Sequence, residues 1–155
     1  MGGRVEARYQ FDGTPDASYA EMTVNDTGPD AQGVSRLLCV DDDPDTLEIL
    51  CELLTSEGYD VSTARSPEQG RRMLELNHFS AVITDYEMPQ QTGVDLVRAA
   101  RRDGLLHDTA VVLYSGRDKA VGDDDDLFFV EKPIKHVKPF LTLIRYLCAR
   151  PPANP

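Results

Sequence analysis

Four places in the sequence hold residues that could do chemistry together. Asp41, Asp42 and Asp43 are consecutive, Asp85 ends the apolar run at 81–84, Ser115 ends the run at 110–114, and Lys132-Pro133 follow the run at 127–130. Carboxylates brought together from separate places repel one another unless a cation or a proton intervenes. Oxygen-only ligands favour a hard ion, and Mg2+ takes one or two carboxylates together with waters. A lysine adds a positive charge and a serine adds a hydrogen-bond donor. Carboxylate nucleophile, divalent ion, lysine and hydroxyl are the parts that phosphoryl transfer to an aspartate requires.

These residues can meet only if the elements before them align. Leu37–Val40 reads as a buried strand. Leu47, Leu50, Cys51 and Leu54 then recur at i, i+3, i+4, i+7, one face of a helix. Asp43-Pro44 supplies its N-cap and first position, and Gly58 its C′ residue. Tyr59–Ala64 reads as a second strand, Ser66-Pro67 opens a second helix with Met73, Leu74 and Leu76 inside it, and Ala81–Thr84 is a third strand. Gly93–Asp103 is a third helix with Val94, Leu96, Val97 and Ala100 as its apolar positions and Gly104 as its stop. Ala110–Tyr114 and Leu127–Val130 are the fourth and fifth strands, and Phe140, Leu143, Ile144 and Leu147 face the core from a last helix. Continuous apolar strands alternating with helices mean a parallel sheet covered on both sides. Ligands of such sheets sit at the carboxyl ends of the strands, where the four polar places fall.

The segments Leu38-Cys-Val-Asp41-Asp42-Asp43-Pro44, Val82-Ile-Thr-Asp85-Tyr-Glu-Met88-Pro89 with Gly93, Val112-Leu-Tyr-Ser115-Gly116 and Val130-Glu-Lys132-Pro133 resemble the receiver domain of bacterial two-component response regulators. The resemblance covers about 35–149, and four motifs in the right order make it specific. It implies an α/β, flavodoxin-like, doubly wound five-stranded parallel sheet of order 2-1-3-4-5. It also implies roles. Asp85 is the phosphoacceptor, attacking a phosphohistidine on a sensor histidine kinase or histidine phosphotransfer protein. Asp42, Asp85 and the backbone carbonyl of Glu87 ligate Mg2+, and Asp41 acts through a metal-bound water. Lys132 neutralises phosphoryl charge, and Ser115 hydrogen-bonds a phosphoryl oxygen. Phe129 matches the family's switch aromatic, and Pro133 follows a cis peptide.

The rest of the chain sets the frame. Its 155 residues suffice for one domain; 41% are apolar and 28% charged. No run approaches the ~20 apolar residues of a membrane span. Twenty-seven acids against sixteen bases give a net charge of −11, which argues against binding nucleic acid. Cys39, Cys51 and Cys148 are scattered in apolar segments and suit reduced thiols better than a disulfide or zinc framework. Residues 1–34 read as a flexible acidic tail, 35–149 as the receiver domain, and 150–155 as a proline-rich tail. Asp43 is read as a helix cap, and His78, His107 and His136 as dispersed surface residues.

Two features depart from the family pattern. Between Ser115 and the fifth strand lie Gly116 to Asp126, including Asp123–Asp126, so the fourth helix is short or absent. Glu87 and Arg117, of opposite charge, stand two residues after Asp85 and Ser115, and either pair across the site or remain two solvated side chains. The expected function is a cytoplasmic, stand-alone, phosphorylation-dependent switch acting on an unknown downstream protein. It modifies only itself and is not an enzyme in the turnover sense. The alternatives are an unregulated receiver-like interaction module and the receiver fragment of a hybrid kinase.

Overall fold

The computed structural model describes residues 10–11, 34–116 and 127–149. Their elements are β1 (Gln10–Phe11), β2 (Arg36–Val40), α1 (Pro44–Thr55), β3 (Asp60–Ala64), α2 (Pro67–Leu76), β4 (Ala81–Asp85), α3 (Gly93–Arg102), β5 (Ala110–Ser115), β6 (Leu127–Glu131) and α4 (Val137–Ala149). Local chemistry sets most boundaries. Asp43 caps α1 by accepting the Asp45 N–H at 3.1 Å, with Pro44 at the first helical position, as the sequence predicts. Gly58, at φ +95°, closes that helix: its N–H reaches the Thr55 carbonyl and the Tyr59 N–H reaches that of Leu54. Gly104, at φ +74°, ends α3 with the same pair of bonds, to Arg101 and, from Leu105, to Ala100. At the other end of α3, the Thr92 and Asp95 side chains each accept the other's backbone N–H.

All strand pairs are parallel, and the order across the sheet is β1-β6-β5-β4-β2-β3. Counted from Arg36–Val40, the five main strands run 2-1-3-4-5, the flavodoxin-like order. Because successive strand residues point to opposite faces, each strand feeds two cores. Leu37 and Cys39 join Leu47, Leu50 and Leu54 of α1 and Phe140, Leu143, Ile144 and Leu147 of α4. On the opposite face, Leu38, Val40 and Val82 pack with Leu74 of α2 and Leu96 and Ala100 of α3. Val111, Leu113, Leu127 and Phe129 pack beside them against Val94 and Val97. The expected apolar faces are therefore buried, except at the end of α2, where Leu76 is 76% exposed.

Within 1–34, read from the sequence as a flexible acidic tail, Gln10–Phe11 form the short strand β1. Gln10 and Phe11 lie in parallel register with Phe129 and Val130, on the outer edge of β6. An edge strand carries unpaired backbone groups that recruit an extended segment, and no side-chain period is needed to signal it. Residues 1–9 and 12–33 lie outside the described residues, as do 117–126 and 150–155. The expectation of a short or absent fourth helix falls on 117–126 and so lies outside the described residues. Among the described residues, no helix is long and apolar enough to cross a membrane.

Candidate functional site

Strand register builds the site. Val40 pairs with Thr84, so Asp41 emerges beside Asp85 on the two central strands where the strand order reverses. Asp85 pairs with Tyr114, and Ser115 with Glu131, which brings Ser115 and Lys132 to the same rim. The Lys132 N–H then donates to the Ser115 carbonyl at 2.8 Å, and the Lys132–Pro133 peptide is cis, as the resemblance implies.

One carboxylate oxygen each from Asp41, Asp42 and Asp85 lie within 4.8 Å of one another. Asp41 is buried and fully engaged: Oδ2 accepts from Lys132 Nζ at 2.7 Å and Oδ1 from the Asp43 N–H at 2.9 Å. Asp42 is exposed, and its carboxylate faces the rim. Asp85 is 8% exposed, and its Oδ1 lies 3.5 Å from Lys132 Nζ. The Glu87 backbone N–H bonds its carboxylate.

The electrostatics follow from this crowding. Burial first, then the Asp41 charge, pushes Asp85 up from 3.8 to about 6, against the pull of Lys132. Burial likewise pushes Asp41 up, opposed by its bonds to Lys132 and the Asp43 N–H. Burial works against the Lys132 ammonium, but the Asp41 hydrogen bond and the two carboxylate charges outweigh it, so the lysine stays charged above its usual range. Among the described residues, one ammonium thus contacts two of the three carboxylates. The remaining negative charge and the oxygen-only donor set fit a small divalent cation.

The loop after Asp85 is held from beneath. The Gly93 N–H donates to the Tyr86 carbonyl at 2.7 Å, and a Cβ on Gly93 would lie 2.1 Å from the Asp85 carbonyl oxygen. Only glycine permits that approach. Ser115 is buried at the rim, and Phe129 is buried against Val94, Val97 and Leu113. Glu87 is exposed, while Arg117, its expected partner, lies outside the described residues.

The sequence reading missed Tyr114. This ring is buried, and the Lys132 ammonium stands 5.2 Å from its centroid. Burial pushes the phenol up, more than the Lys132 charge pulls it down. The available signal was a tyrosine inside an otherwise aliphatic buried run, since a buried phenol usually finds a polar partner. The three histidines are exposed as expected. All three cysteines are free, with Cys39 buried and the other two half-buried.

A family model described as the response regulator receiver domain matches residues 37–135. The Escherichia coli K12 transcriptional regulatory protein GlrR is 45% identical over 62 residues, 40% of this chain but only 14% of that protein. A sensor protein from Polaromonas sp. JS666 superposes with a TM-score of 0.66 at 29% identity, covering 73% of this chain and 95% of that one. The response regulator TrrA of Thermotoga maritima, solved in complex with Mg2+ and BeF, gives 0.61 at 26% identity, with 72% and 99% covered.

Proposed function

The chain belongs to the response regulator receiver domain family of two-component signalling, and from that premise we propose that Asp85 accepts a phosphoryl group and switches the protein's interactions. The observation that carries this reading is the placing of Lys132 Nζ between Asp41, at 2.7 Å, and Asp85, at 3.5 Å, on a rim that also holds Asp42 and Ser115. An Asp85 carboxylate oxygen attacks the phosphorus of a phosphohistidine on a sensor kinase or phosphotransfer protein. The P–N bond breaks and the imidazole leaves with its electron pair. Lys132 Nζ and the Ser115 hydroxyl donate to the oxygens of the transferred group and offset its charge.

Asp42, Asp85 and the Glu87 carbonyl would hold Mg2+, which when bound supplies positive charge against the incoming phosphoryl oxygens. Asp41 is occupied on both oxygens by Lys132 and the Asp43 N–H, which supports its acting through water rather than as a direct ligand. Phe129, buried next to the strand end that bears Lys132, is the switch residue in this reading, moving together with Ser115. The chemistry modifies the protein itself, and output passes to a downstream protein partner.

Labelling with acetyl phosphate, or uptake of beryllofluoride, tests the reading. Wild type takes up the group in a Mg2+-dependent way, and Asp85→Asn does not. Equal uptake by the variant would overturn the assignment of Asp85. No uptake by wild type would favour an unregulated interaction module.

A further inference from the structure

Lysine is a point charge on a flexible four-carbon stem, so a carboxylate alone does not fix where its ammonium sits. Around Lys132 Nζ the described contacts are Asp41 Oδ2 at 2.7 Å, Asp85 Oδ1 at 3.5 Å and the Tyr114 ring, 5.2 Å away at its centroid. Tyr114 lies on β5 one residue before Ser115, in register with Asp85 on one side and Val130 on the other. It is 5% exposed and packs in the core that contains Val130 and Phe140, so the ring has little freedom to leave. The ring therefore lies beside the ammonium and is held there by the core. A cation within about 6 Å of a tyrosine ring centroid is attracted by the ring's electron-rich face, more strongly where water is scarce.

We propose that Tyr114 is a positioning residue for phosphoryl transfer: its ring holds the Lys132 ammonium within reach of Asp85. This proposal rests on the assignment of Asp85 as phosphoacceptor. A ring that merely fills space between β5 and α4 would make Tyr114 important for folding alone.

A double-mutant cycle separates the two. Tyr114→Leu, Lys132→Ala and the double variant of the full chain are compared with wild type for initial rate of acetyl phosphate labelling in Mg2+ and for urea stability. Tyr114→Leu is expected to slow labelling about tenfold, with no further loss beyond twofold once Lys132 is gone. Tyr114→Phe, which keeps the ring and loses the hydroxyl, is expected to stay within about threefold of wild type. If Tyr114→Leu is unfolded, Tyr114→Met takes its place in the cycle. A wild-type rate in Tyr114→Leu, or the same fold-loss with and without Lys132, would overturn the proposal. Urea stability keeps the two readings apart. Coupling between Tyr114 and Lys132 in a wild type that does not label retains the positioning contact and removes the phosphoacceptor; labelling without coupling does the reverse.

Discussion

Asp85 carries the largest consequence of a single residue's surroundings. Burial and the neighbouring Asp41 push its carboxyl up to about 6 from an ordinary 3.8. Between those values the folded chain keeps a proton that the unfolded chain has released. The group therefore favours folding fully below about pH 4, and that contribution is lost as pH rises through about 6. Above pH 6 an ionised Asp85 in the metal-free chain opposes folding. Asp85→Asn should then stabilise the metal-free protein at pH 7.5 by on the order of 1–3 kcal/mol, with the gain fading as pH falls from about 6 to about 4. Urea denaturation in chelator across that range measures it, and an Asn variant no more stable than wild type at pH 7.5 would contradict it. Asp43 shows the other kind of local reading: an aspartate followed by proline is a helix cap from sequence alone, and it caps α1. Tyr114 was not legible in this way, because the direction of its ring depends on strands far away in sequence.

At the scale of elements, the strands and helices were legible because their signals are local. Apolar runs, helical periodicity, Pro at first positions and Gly at ends place β2 to β6 and α1 to α4 within a residue or two of the structure. What the glycines do is not uniform. Gly58 and Gly104 supply positive φ, and nothing lies within 4 Å of a Cβ built on either. Alanine at either position should cost about 1 kcal/mol and leave the site intact. Gly93 has no positive φ but abuts the Asp85 carbonyl. Gly93→Ala must displace the first turn of α3 or the end of β4, at about 1–3 kcal/mol. It should also weaken phosphoryl labelling, which the other two substitutions should not. Chemical denaturation and acetyl phosphate labelling of the three variants test the contrast; equal labelling in all three would refute it.

Across the whole molecule, the net charge of −11 is not spread evenly. Asp41, Asp42 and Asp85 concentrate part of it at the carboxyl ends of the two central strands, where Lys132 is the one lysine in contact among the described residues. A cation that binds there only in the folded state stabilises the whole chain by mass action. At ten times its dissociation constant Mg2+ should add about 1.4 kcal/mol, seen as a rise of several degrees in Tm. The rise should be larger at pH 7.5 than at pH 5, where protons compete for Asp85. A Tm unchanged across millimolar Mg2+ would count against an assembled acidic pocket.

The sequence by itself determined the order and kind of the elements, the two-sided burial of a parallel sheet and the residues at each strand end. Those follow from periodicity and from caps, which are properties of neighbours in the chain. Only the tertiary structure decided that Lys132, 91 residues from Asp41, bonds it and also approaches Asp85 and the face of Tyr114. It also decided that Gly93 rests on the Asp85 carbonyl and that Gln10–Phe11 pair with β6. The physical reason is that strand order and register set these distances, and both are fixed by packing between segments whose local patterns carry no record of one another.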